Sequence, residues 1–191
     1  MKNTSDKILQ AALALMQDKG FQAVSVKEIA QHAEVSEMTV FRHFKTKMGV
    51  FESAVEKFSY IPSFEEIFAK QIVWDQEADL TLIAKSYLDS MNRNKSIFLI
   101  AIQERSDFPE LHQVIAKNTM KLKGLIIAYF TSIQERNRMK ETNVDAQAKI
   151  FLTTLYGYFS STALWKNHFL HEWEEPFFTH TIRLFCEALQ K

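Results

Sequence analysis

Residues 25–47 read SVKEIAQHAEVSEMTVFRHFKTK, and this stretch decides the fold. Ser25 and Glu28 stand at the spacing of a capping box, in which a hydroxyl and a carboxylate three residues apart satisfy opposing backbone donors at a helix start. The helix that begins there turns Val26, Ile29, Ala30 and Ala33 inward and runs about two turns before Glu34-Val35-Ser36. Ser36 is a natural N-cap for another short helix over 37–43. Three residues between two short helices is helix-turn-helix spacing, and Val35, Val40 and Phe44 are the apolar residues available to lock the pair together.

The flanks agree with this reading. Upstream, Ile8, Leu9, Ala12, Leu15 and Met16 recur at helical spacing over 5–19, and Gly20 supplies a left-handed stop with Phe21 just beyond it. Downstream, Lys45-Thr46 is a brief connection to a fourth helix over 47–58 carrying Val50, Phe51, Ala54 and Phe58, which Pro62 ends or displaces. The rest reads as helices at about 64–72, 76–92, 96–105, 109–138, 144–169 and 175–190, with no competing strand alternation. The expected fold class is all-α. A functional boundary is drawn after residue 47, leaving 1–47 as the helix-turn-helix domain and 48–191 as a larger helical domain.

Composition sets the limits. With 191 residues, 47% of them apolar and 24% charged, the chain has the balance of a globular protein. Only 4 Gly and 3 Pro disfavour a turn-rich β fold, and 16 Phe promise a bulky core. The longest apolar runs, 97–102 and 125–130, are far short of the roughly 20 residues that span a bilayer. No secretory pattern marks the N-terminus, and the single Cys186 forms no intrachain disulfide, so the cytoplasm is the expected location. The 23 basic and 23 acidic residues cancel. Between Glu37 and Glu52, however, there is no acid, while Arg42, Lys45, Lys47 and His43 cluster, which suggests a local anion contact.

A helix-turn-helix reads DNA by laying its second helix in the major groove, with that helix's N-terminal residues at base edges. Glu37 and Met38 are first in line, Glu37 for a cytosine amino group and Met38 for thymine methyls. Ser36, Thr39, His43 and Lys47 suit phosphates, and Lys27 could reach a phosphate or a guanine.

These residues resemble a known family. Ile8 to Phe21, Ser25 to Ala30, Ala33 to Ser36, and Thr39-Val40-Phe41-Arg42-His43-Phe44-Lys45-Thr46-Lys47 look like the N-terminal domain of tetracycline-repressor-like (TetR/AcrR) regulators. The resemblance covers about the first 55 residues. It implies a homodimer on a palindromic operator and an all-helical C-terminal domain that both dimerises and holds an inducer. Carried over by position, it assigns DNA contact to Lys27, Glu37, Met38, Thr39, Phe41, His43 and Lys47. Two positions depart from the pattern. Glu34 stands where the family usually has Gly, which strains a left-handed turn, and Phe41 replaces the usual Tyr, removing a hydroxyl that could bond phosphate.

Beyond residue 55 only the helical layout resembles the family, and in that layout the last two helices build the dimer interface. Thr154, Gly157 and Ser161 share one face of the 144–169 helix, and Phe178, Ile182, Phe185 and Leu189 form a stripe on the last; an intramolecular core is the competing explanation for each. Tyr87, Met91, Gln103, His112, Thr119, Tyr129 and Tyr156, set among apolar neighbours, are the candidates for a ligand cavity, and the Phe content hints at a hydrophobic or aromatic inducer. No phosphate-binding glycine loop, nucleophile elbow or cysteine pair is present, and His168 and His171, one turn apart, lack a third metal ligand. No cofactor is expected. The leading expectation is a homodimeric repressor released from a palindromic operator by a small molecule. The alternatives are a helical ligand-binding or scaffolding protein without operator recognition, which only Glu34 and Phe41 support, and a helical enzyme with an unrecognised site.

Overall fold

Asn3 starts the first helix by accepting the Ser5 N–H with its side chain, and Gly20 ends it at φ +87°, its N–H returned to the Met16 carbonyl at 2.9 Å. The computed structural model describes residues 3–164 and 174–190. Among them every regular element is an α-helix: α1 (Thr4–Lys19), α2 (Val26–His32), α3 (Glu37–Phe44), α4 (Lys47–Lys57), α5 (Ile61–Lys70), α6 (Gln76–Arg93), α7 (Lys95–Gln103), α8 (Pro109–Glu135), α9 (Val144–Leu164) and α10 (Glu174–Leu189). The end of the expected 144–169 helix, with His168 and His171, lies outside the described residues.

Local signals act where the sequence places them. The capping box at α2 is complete: the Ser25 hydroxyl accepts the Glu28 N–H at 3.1 Å, and the Glu28 carboxylate accepts the Ser25 N–H at 2.9 Å. At the other end of α2, Val35 N–H reaches the Ala30 carbonyl and Glu34 N–H the Gln31 carbonyl, a Schellman closure with Glu34 at φ +57°. The turn that the family builds with glycine is thus kept in a left-handed conformation by a glutamate, at a cost of about 1 kcal/mol. Ser36 caps α3 by accepting the Thr39 N–H at 3.1 Å, and Thr46 caps α4 by accepting the Gly49 N–H at 2.9 Å. Gly49 is required there, because a Cβ would collide with the Phe44 carbonyl oxygen.

The described chain packs as two units. The first joins residues up to 59 with 94–117, and the second joins 60–93 with those from 118 onward. These packing units are drawn differently from the functional division after residue 47. The reason is that α4 and α7 both pack on α1, so Val50, Phe51, Ile97, Ile100 and Leu111 share one core with Ile8, Met16, Ile29 and Val40. Fully burying side chains of this size contributes about 1.5–3 kcal/mol each. Pro62 does interrupt the chain after α4, but from within the first turn of α5, which therefore begins at 61 rather than 64.

In the second unit α6 packs against α9 and α10. The α10 stripe resolves in favour of the intramolecular core: Phe178, Ile182 and Leu189 are buried in the chain itself, and Phe185 is half-buried between the rings of Phe130 and Phe151. Gly124, near the middle of α8, has open space around its Cβ position and mediates no close approach.

Candidate nucleic-acid interface and effector site

The recognition face is built by α3. Val40 and Phe44 point into the core, which turns Glu37, Met38, Phe41, Arg42 and His43 to the surface. Met38 is 73% exposed and Phe41 55%. Ser36 is exposed and Thr39 half-buried, and their hydroxyls lie 2.9 Å apart, so each keeps capacity for one more partner. Lys27 stands exposed on α2. The ammonium of Lys45 lies 5.7 Å from the centre of the Phe41 ring.

Lys47 has a different setting. Its ammonium donates to the Phe21 carbonyl at 2.7 Å and the Gln22 carbonyl at 2.9 Å, and it lies 4.6 Å from the centre of the Phe21 ring. Partial burial lowers its pKa, opposed by the charges of Glu104 and Glu28. Two of its three N–H donors therefore serve the α1–α2 turn, and one is left for a phosphate. The sequence, with Lys47 in a basic cluster, gave no sign of this inward task. Arg42 and Lys45, named there only as charge, prove as exposed as Lys27.

The profile of bacterial regulatory proteins of the tetR family matches residues 8–54, the span of α1 to α4 that presents this face. The chain is 28% identical over 189 residues to the HTH-type transcriptional regulator YvkB of Bacillus subtilis, covering 99% of this chain and 98% of the relative. Its fold is also that of NalD, the secondary repressor of the MexAB-OprM multidrug efflux pump in Pseudomonas aeruginosa. The TM-score is 0.77 at 17% identity, over 98% of this chain and 97% of that one. Salmonella enterica GusR gives a TM-score of 0.72 at 18% identity, over 98% and 95% of the two chains. The profile match over α1 to α4 and the full-length relative mark the chain as a DNA-binding transcriptional regulator, and the solved structures show its fold.

The seven residues read as ligand contacts divide. Gln103 and His112 are exposed residues of the first unit. The other five belong to the second unit, where Tyr87, Met91 and Tyr129 are buried and Thr119 and Tyr156 exposed. Tyr87 stands edge-on to Tyr60, with ring centroids 6.2 Å apart. Burial raises the pKa of Tyr87, and the proximity of the Tyr60 and Tyr156 hydroxyls adds to the effect. Tyr60 is raised by burial too, offset by a hydrogen bond with Thr119. The phenols therefore stay neutral at physiological pH. Tyr60 was missed from sequence because it falls in the break between two helices, where no periodicity marks a buried face.

Tyr129 belongs to a separate cluster of the same unit. Its hydroxyl donates to the buried Asp79 carboxylate at 3.1 Å, which also accepts the Val73 N–H at 2.9 Å, and its ring stacks on Trp74. A cavity of about 220 Å³ lies between α6 and α10, lined by Glu77, Thr81, Ala84, Lys85, Phe178, Thr179 and Ile182, and contains none of the seven. Among the described residues no group of three or more potential metal ligands is gathered, and no helix is long and apolar enough to cross a membrane.

Proposed function

We propose that the chain is a homodimeric repressor that binds a palindromic operator through α3 of each subunit and is released by a small hydrophobic or aromatic inducer. The observation that carries the reading is the outward face of α3, capped at Ser36 and flanked by Lys27, Arg42, His43 and Lys45. Ser36, Thr39, His43, Lys27 and the remaining donor of Lys47 contact phosphates, and Glu37, Met38 and Phe41 face base edges. The functional division places 1–47 on DNA and 48–191 in sensing and dimerisation. As a DNA-binding regulator it works in the cytoplasm.

The second subunit docks on α9. Ile150, Thr154, Gly157, Ser161 and Leu164 follow one another at alternating spacings of four and three, the seam of a paired helix. Ile150 and Leu164 are exposed, and a Cβ at Gly157 would meet nothing within 4 Å. Leu184, 66% exposed on α10, extends the apolar face once the remainder of that helix has turned inward.

The inducer site centres on Tyr87, a buried ring of the second unit set edge-on to Tyr60. Tyr156 and Tyr60 lie beside it and Thr119 bonds Tyr60, Met91 is buried in the same unit, Tyr129 is held apart by Asp79 and Trp74, and Gln103 and His112 drop from the central group because they belong to the first unit. Inducer that favours the non-DNA state by a few kcal/mol empties most operators. The contrary reading, a chain without operator recognition, rests on Glu34 and Phe41 alone, and the Glu34 turn retains its Schellman geometry.

Gel-shift titration of the full chain against DNA upstream of its own gene, repeated at rising salt, tests the proposal. Nanomolar binding that weakens steeply with salt is expected; equal, weak retention of every duplex would reject it.

A further inference from the structure

Met38 is 73% exposed and Phe41 55% exposed, on a helix whose other outward residues are polar or charged. They sit three residues apart, so their side chains rise side by side from one face with Cβ atoms about 5–6 Å apart. Exposed apolar side chains grouped on one face mark a contact surface. Here the exposed cations Lys27, Arg42 and Lys45, with the His43 imidazole as a further donor, point to a polyanion as the partner. A duplex offers one principal apolar feature in its major groove, the C5 methyl of thymine, and base steps recur at about 3.4 Å. Two side chains 5–6 Å apart therefore match two methyls one or two steps apart. Phe41 has no hydroxyl with which to engage a phosphate, and Lys45 lies against its ring, steadying it and supplying a nearby charge.

Resting on the DNA-binding reading, we infer that Met38 and Phe41 form a two-point methyl reader, so that each operator half-site carries two thymines one or two base steps apart. Sequence preference in this regulator is then set chiefly by apolar contact, with Glu37 adding a hydrogen bond to an adjacent cytosine amino group.

The test begins by enriching sites from a randomised duplex pool with the full chain. Deoxyuridine, which lacks only the methyl, then replaces each thymine of the enriched half-site, and binding is measured for the wild type, Met38→Ala and Phe41→Ala. Both residues lie outside the core, so circular dichroism of the variants should match the parent. Two thymines at the stated spacing should be enriched, each lost methyl should weaken the wild type about fourfold, and each alanine variant should become indifferent to one of the two methyls. An enriched site that binds equally well with uracil, or one without paired thymines, overturns the methyl reader and leaves operator binding intact. Alanine variants that keep their methyl dependence but change their association state would also overturn it, by making the patch a protein contact. Failure to enrich any sequence would sink the operator reading itself.

Discussion

The carboxylate of Glu104 accepts the backbone N–H of Phe21 at 2.8 Å, joining residues 83 positions apart. Glu104 ends α7 and Phe21 opens the turn between α1 and α2, so one hydrogen bond ties the corner after α7 to the reading helices of its unit. The Phe21 peptide is gripped from both sides, its N–H by Glu104 and its carbonyl by Lys47, and the Phe21 ring meets the edges of Phe51 and Phe108. Gly20 makes room for this, since a Cβ there would stand 2.6 Å from Glu104 Oε1.

Glu104→Ala leaves the Phe21 N–H without its acceptor in a buried setting and should cost about 1–3 kcal/mol. Glu104→Gln retains an amide oxygen and should lose distinctly less. Urea unfolding midpoints of the two variants check this; equal losses would mean that the carboxylate serves no acceptor role.

Glu28 contributes to stability in a pH-dependent way. Hydrogen bonds from the Ser25 backbone, from Lys19 and from the Ser25 hydroxyl hold its pKa at about 2, against an ordinary 4.5. A carboxyl with the lower pKa in the folded state takes up its proton more readily when unfolded. Its stabilisation is therefore complete above about pH 4.5 and disappears as pH falls toward 2. In thermal melts between pH 6 and 2, Glu28→Gln should show a shallower acid decline than the parent, the two curves converging at the acid end.

Lys27 and Lys47 should separate binding from folding. Lys27→Ala removes an exposed charge, so operator affinity should fall uniformly across sequences, the log–log salt slope should shrink by about one, and the melting temperature should stay put. Lys47→Met removes two carbonyl partners and a cation over the Phe21 ring. It should lower stability by about 1–2 kcal/mol in addition to weakening binding. Calorimetry beside salt-dependent gel shifts distinguishes the two patterns.

Gly157→Leu addresses the subunit seam. Open space around the Cβ position allows the monomer to accept the larger side chain, and leucine favours the helix over glycine by about 1 kcal/mol. A partner helix could no longer approach, so sedimentation should show a shift from dimer to monomer with helicity unchanged, and operator affinity should drop with it. A variant that remains dimeric would place the seam on another face.

What the sequence by itself determined is the helix-turn-helix. Helix starts and stops are local physics: a hydroxyl three residues before a carboxylate, a serine at an N-cap, a glycine at a C-terminus. Ser25, Glu28, Ser36 and Gly20 act in the structure as their spacing announces. The departure at Glu34 was legible too, because a left-handed position asks for glycine whatever surrounds it.

Only the tertiary structure decided where faces and charges go. A helical stripe records that a side is apolar and carries no sign of what covers it, so the inward turn of α10 and the exposure of Ile150 and Leu164 on α9 emerged only on packing. Lys47 looked like one more cation until the carbonyls of Phe21 and Gln22 met it, and Tyr60, Tyr87 and Tyr156 converge from three separate segments. Such groupings depend on distances between residues far apart in the chain, and no local pattern encodes them.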